Sequence, residues 1–205
     1  MNINPIVCDI SRYQNVSDWH AVKAAGIVGV INKATEGLGL VDIRFATRRA
    51  PAIAAGLLYG GYHFLRPGDV TAQVKHFLDL TVPHDGLLMA LDHEDPRVPL
   101  SAAKDFLAQV KAAVGRYPVL YSGFLIKQQL HANTVDPDLA KVKLWLAQYS
   151  SNPSWPSTWT SPWLWQFTGD GNGPPPHSIS GIDGTGLDID SYQGTPEQLA
   201  AEWAA

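Results

Sequence analysis

Short apolar and β-branched runs alternate along the chain with segments whose apolar residues recur at helical spacing, the pattern of β/α units around a largely parallel sheet. Pro5 to Ile10 reads as a first strand. Ser17 or Asp18 can cap a helix through Ala25 that ends at Gly26, where left-handed geometry is cheap. Ile27 to Asn32 is a second strand, Asp42 opens a helix to Ala55, and Leu57 to Phe64 makes a third strand. A helix over Val70 to Leu80 and a strand over Gly86 to Glu94 follow. Ser101 caps a helix to Val114, Pro118 to Tyr121 forms a fifth strand, and a helix runs from Phe124 to Ala132.

Beyond that point the rhythm changes. Lys143 to Tyr149, Pro162 to Phe167 and Gly186 to Ile189 read as strands, but the linkers hold Pro, Ser, Gly and Trp in place of helical spacing. Five β/α units followed by three strands give eight strands, enough to close a barrel. The expected fold is therefore α/β, an irregular TIM-like (β/α)5(β)3 barrel forming a single domain over residues 1–205. Such barrels gather their reactive side chains at the C-terminal strand ends.

Composition narrows the function. At 205 residues and 45% hydrophobic, the chain can bury a substantial core. Its formal net charge of −4 leaves no basic surplus for a polyanion, which argues against nucleic acid. Cys8 is the single cysteine and cannot form an internal disulfide. No run is apolar for long enough to span a membrane, and MNINPIVCDIS lacks the pattern of a secretory signal.

The most specific local signal is MALDHED at 89–95, an apolar strand that ends in acids. Side chains alternate along a strand, so Asp92 and Glu94 share one side and His93 faces the other. A pair of carboxylates is what glycoside hydrolysis needs, one protonated to release the leaving oxygen and one ionised to meet the cationic centre of the sugar. A solvated strand end or a helix cap would also explain the motif taken alone. Two other strands end in acid, at Asp9 and at Asp188, and the first and last strands of a closed barrel are neighbours. Asp9, Asp92, Glu94 and Asp188 are thus expected to converge at one mouth, where repulsion and burial raise at least one pKa. Glu94 has the longer reach and is assigned as general acid, with Asp92 as its ionised partner.

Tyr62, Phe64, Tyr121, Tyr149, Trp165 and Gln166 fall near strand ends around the same rim and suit a sugar groove, although aromatic residues in strands as often serve as core. Hydroxyls at Tyr62 and Tyr121 could bond a carboxylate or an acetamido group. The seven histidines, His20, His63, His76, His84, His93, His131 and His177, are scattered and form no metal-ligand pattern. GDGNG at 169–173 lacks the ending of a phosphate loop and reads as a turn, and Asp183, Asp188 and Asp190 lack calcium-loop spacing. No metal site is expected. The sequon Asn15-Val16-Ser17 is assigned no role.

Taken in order, DISRYQ at 9–14 with DW at 18–19, INKATEG at 31–37, GGYHF at 60–64, LDHE at 91–94, YPVLYSG at 117–123, LWLAQY at 144–149, LWQF at 164–167 and LDID at 187–190 resemble glycoside hydrolase family 25, the lysozymes or muramidases. The resemblance implies an irregular barrel that hydrolyses the β-1,4 bond between N-acetylmuramic acid and N-acetylglucosamine in bacterial peptidoglycan, with no cofactor. It carries the acid/base role to Glu94, the partner role to Asp92, and the two other cleft acids to Asp9 and Asp188. His93 stands where a small apolar residue is usual, and Asp190 where Asn is common. Net retention is implied, with Asp92 as nucleophile or as orienter of the substrate's acetamido group. Spacing alone leaves retention and inversion open, because two strand positions separate the α-carbons by roughly 6.5 to 7 Å.

Two other functions fit the same pattern: a non-catalytic module that binds peptidoglycan or chitin, and a chitinase-like hydrolase. With no separate wall-binding module, stable membrane insertion or oligomer expected, the chain reads as a monomer made in the cytoplasm. Release by lysis or a dedicated export system would bring it to the cell wall.

Overall fold

Strand β1 (Pro5–Ile10) is buried from Ile6 onward because both of its faces are covered, by the barrel interior on one side and by helices on the other. The computed structural model describes residues 1–82, 85–130 and 134–205. After β1 the order is α1 (Trp19–Ala24), β2 (Gly29–Glu36), β3 (Leu40–Val41), α2 (Phe45–Ala54), β4 (Leu58–Phe64), α3 (Val70–Thr81) and β5 (Leu88–Asp92). Then come α4 (Leu100–Val114), β6 (Val119–Ser122), α5 (Phe124–Gln129), β7 (Leu144–Ala147), β8 (Leu164–Thr168), β9 (Asp188–Ser191) and α6 (Pro196–Glu202).

Strands β1, β2, β4, β5, β6, β7 and β8 run parallel to their neighbours, and β9 lies between β8 and β1, antiparallel to both. These eight strands close a ring, and β3 is a short hairpin partner of β2 outside it. The expected single-domain barrel is therefore present, with one difference at its closing strand. Because β9 is reversed, its beginning and not its end lies at the mouth, so Asp188 opens the strand and pairs with Asp9.

Alternation divides the core in two. Val7, Ile31, Leu88, Ala90, Val119, Trp145 and Leu164 fill the ring, whereas Cys8, Val30, Leu91, Trp165 and Phe167 face outward into the layer that Phe77 of α3 and Phe106 of α4 help to fill. Trp203, following α6, plugs the floor: a Cβ at Gly29 would stand 2.6 Å from its ring, and its indole donates to the Tyr59 carbonyl at 2.9 Å. Both α6 and β3 escape the periodicity reading, although Thr195 and Gln198 form a capping box with Pro196 behind it.

Other boundaries shift modestly. Strand β2 runs on to Glu36, past the expected end at Asn32, and carries Lys33 up to the mouth. Helix α4 starts after Pro99 with no side-chain cap, so Ser101 does not serve as one. Helix α5 ends at Gln129, and the end expected at Ala132 lies outside the described residues. Among the described residues no helix is long and apolar enough to cross a membrane.

Candidate active site

The parallel strands end around a cleft of about 250 Å³. Asp9 reaches it from β1, Lys33 from β2, Tyr62 and Phe64 from β4, Asp92 from the last position of β5, and Asp188 from the first of β9. Glu94 lies just past β5 and also lines the cleft, while His93 turns away to bond Gln129 of α5 at 2.7 Å. The turn that holds Glu94 is fixed by backbone bonds: Leu65 donates to the Asp92 carbonyl and His93 to that of Tyr121, both at 2.9 Å. The Ser122 hydroxyl donates to the His93 carbonyl at 2.7 Å.

Side chains inside the mouth are tied across several strands. Tyr121 donates its hydroxyl to Oε1 of Gln166 at 2.7 Å, and Nε2 of Gln166 donates to Oδ2 of Asp9 at 2.7 Å. Below them the Trp145 indole donates to Oδ1 of Asp190 at 2.6 Å, and the rings of Tyr121 and Trp145 meet edge to face at 4.5 Å. Gly169 makes room for the rim. A Cβ there would stand 2.2 Å from Oδ1 of Asp188 and 2.5 Å from the Tyr149 hydroxyl, so a side chain would displace one or both.

Burial first, and the crowding of carboxyl groups after it, set the electrostatics. Burial raises Asp9 well above the usual carboxylate range, with Asp188 and Asp190 adding repulsion. Burial also raises Asp92 well above its usual value; Glu94 pushes it further up, whereas Lys33 pulls it down. Oδ1 of Asp92 is buried with no hydrogen-bond partner. Asp188 is pushed up to about 7, first by burial and then by Asp170 and Glu94. Glu94 keeps an exposed surface but stands in a concave wall, so partial loss of water, aided by Asp170, raises its carboxyl. The upward push on Glu94 is accordingly milder than a closed interior would impose.

Most of the expected site residues meet here. Asp9, Asp92, Glu94, Asp188, Tyr62, Phe64, Tyr121, Tyr149 and Gln166 all line the cleft. Trp165 does not: it is fully buried on the outer face of β8, and its indole donates to the Gln148 carbonyl at 2.8 Å. Gln166 faces inward, so its neighbour must face outward. Tyr121 is in place, but its hydroxyl is bound to Gln166 and not to a carboxylate.

Several cleft residues carried no local signal of their role. Trp145 faces the interior from β7, Tyr13 is 78% exposed at the rim, and Lys33 enters on the extension of β2. Asp170 comes from the GDGNG segment, which forms the expected turn around a Gly169–Asn172 bridge; Asp170 has φ 52°. Of the histidines, His84 and His131 lie outside the described residues. His63, His76 and His177 each have a local hydrogen-bond partner, in Thr35, the Leu40 carbonyl and Thr168.

Comparison with known proteins agrees with this geometry. The family model for glycosyl hydrolases family 25 matches residues 8–175. Lysozyme M1 of Streptomyces globisporus is 28% identical over 217 aligned residues, covering 94% of this chain and 69% of its own. The N,O-diacetylmuramidase of Arthroderma benhamiae is 30% identical, covering 79% of this chain and 78% of its own. The crystal structure of a bacterial lysozyme from Streptomyces coelicolor superposes with a TM-score of 0.83 at 26% identity, covering 98% of each chain.

Proposed function

Because the chain belongs to family 25 of the glycosyl hydrolases, we propose that it is an N-acetylmuramidase with Glu94 as general acid/base and Asp92 as ionised partner. Its substrate in this reading is the β-1,4 bond between N-acetylmuramic acid and N-acetylglucosamine in peptidoglycan.

One observation carries the division of roles. Glu94 and Asp92 repel each other, so the pair favours holding a proton on one of them. Lys33 and Arg66 favour charge on Asp92 and Glu36 opposes it, whereas the charge acting on Glu94 is that of Asp170. In the free cleft burial pushes Asp92 up harder than Glu94; in this reading a bound sugar removes the water at the exposed Glu94 carboxyl and moves the proton there, while Lys33 and Arg66 hold charge on Asp92.

Glu94 then transfers its proton to the glycosidic oxygen as the bond to the anomeric carbon breaks. Asp92 accepts the N–H of the muramyl acetamido group and aims its carbonyl oxygen at that carbon, forming a cyclic oxazolinium that preserves one face. Water, deprotonated by the Glu94 carboxylate, opens the ring with net retention. Direct attack by Asp92 is the alternative for the same pair. The Tyr121–Gln166 chain holds Asp9 at the cleft wall, and Gly169 leaves space for Asp188 beside it. We also propose the bacterial cell wall as the place of action and lysis as its result.

The test is product analysis. Cell walls are digested, reduced with borohydride and examined by mass spectrometry. Muramitol at the new ends is expected; glucosaminitol would point to a chitinase-like specificity, and binding without new ends to a non-catalytic module.

A further inference from the structure

Glu94 stands on a ridge between two depressions. One is the acidic cleft; the other, of about 240 Å³, is lined by Pro96, Gly123, Phe124, Leu125 and Gln128, and Glu94 is the residue common to both. That volume lies below the roughly 300–1,000 Å³ of whole ligand sites and suits a single ring. Phe124 is 74% exposed, which is high for a large apolar side chain. The backbone that carries it is closely packed: Gly123 beside it is buried, and a Cβ there would meet the Ala147 carbonyl oxygen of β7 at 2.9 Å.

A general acid that protonates a leaving oxygen stands between the sugar that reacts and the sugar that departs. Asp92 acts on the reacting sugar and lies in the acidic cleft, so that ring sits there. The departing ring then falls on the other side of Glu94, over Phe124. We propose that the Phe124 depression is the leaving-side subsite and holds the N-acetylglucosamine ring whose O4 departs, an assignment that rests on the role given to Glu94 above. Phe124 stacks against the apolar face of that ring, as exposed aromatic platforms do, and Gln128 supplies an amide for its acetamido group. The C1–O4 bond breaks as the Glu94 proton moves to O4; the water that completes the reaction leaves its oxygen on C1 and returns a proton to Glu94.

The assignment is tested with two leaving groups on one donor. Wild type, Phe124→Ala and Phe124→Trp are assayed on glycan strands and on the fluoride of the N-acetylglucosaminyl-N-acetylmuramyl disaccharide, whose leaving group has no ring. Phe124→Ala is expected to lose roughly fivefold to tenfold in kcat/KM on glycan and nothing on the fluoride, and Phe124→Trp to retain glycan activity. Unchanged glycan cleavage by Phe124→Ala, or an equal loss on both substrates, would overturn the subsite while leaving the muramidase reading intact. A wild-type protein that cleaves neither substrate would instead remove that reading, and the subsite with it.

Discussion

Gln166 donates from Nε2 to Oδ2 of Asp9 across 2.7 Å, joining β8 to β1 over the reversed strand β9 that lies between them. Its other amide atom is held by Tyr121, so one side chain on β8 fixes an acid from β1 and a phenol from β6. Gln166→Ala would leave a buried carboxyl and a buried hydroxyl without these partners. It is expected to cost about 2–4 kcal/mol, from two lost bonds at roughly 1–2 each, measured by urea denaturation. Tyr121→Phe should cost about half as much. Equal stability of Gln166→Ala and wild type would mean that the chain does not brace the mouth.

Lys33 is the cation among the residues that line the acidic cleft, and 15% of its side chain is exposed. Its ammonium group pairs with Glu36 and lies 5.0 Å from the Phe64 ring centroid. Groups acting on Asp92 are Glu94 from its own turn, Lys33 and Glu36 from β2, and Arg66 beyond β4. Of these, Lys33 and Arg66 favour the ionised form. Lys33→Met removes one of those cations, raises the Asp92 pKa, and so shifts the acid limb of the kcat–pH profile toward higher pH. Activity should fall most at low pH and recover as pH rises, with Lys33→Arg close to wild type. An acid limb that stays in place or moves downward contradicts this role.

Asp190 is fully buried, with one oxygen bonded to Trp145 and the other without a partner. Burial raises its pKa well above the usual range, with Asp188 adding to the effect, so the folded protein holds a proton that the unfolded chain releases near pH 4. That preference stabilises the fold at low pH, and the benefit is lost as pH rises through the folded value. Asp190→Asn keeps the acceptor for Trp145 and removes the titration. The variant should therefore gain in melting temperature relative to wild type between pH 4.5 and pH 7.5. A constant difference across that range would show that Asp190 does not titrate abnormally.

Much of this site was legible in the sequence because it depends on strand alternation. The DHED segment fixed Asp92 and Glu94 on one side and His93 on the other, and the structure agrees. The same rule places Trp165 in the outer core once Gln166 faces the cleft. Asp188 opens a descending strand where an ascending one ending in acid is expected; the acid reaches the mouth either way, because the direction of β9 leaves no mark in the alternation of Asp188, Ile189, Asp190 and Ser191. Lys33 and Asp170 were invisible for a different reason. One depends on how far β2 continues and the other on how a glycine-rich turn folds over the rim, and both are settled by tertiary contacts.

The account depends most on Glu94 delivering the proton, and the turnover of Glu94→Gln on purified peptidoglycan measures that directly. Loss of roughly 10²- to 10⁴-fold in kcat is expected for removal of a general acid, with the melting temperature close to wild type because the side chain is exposed. Turnover within a few-fold of wild type would contradict the assignment.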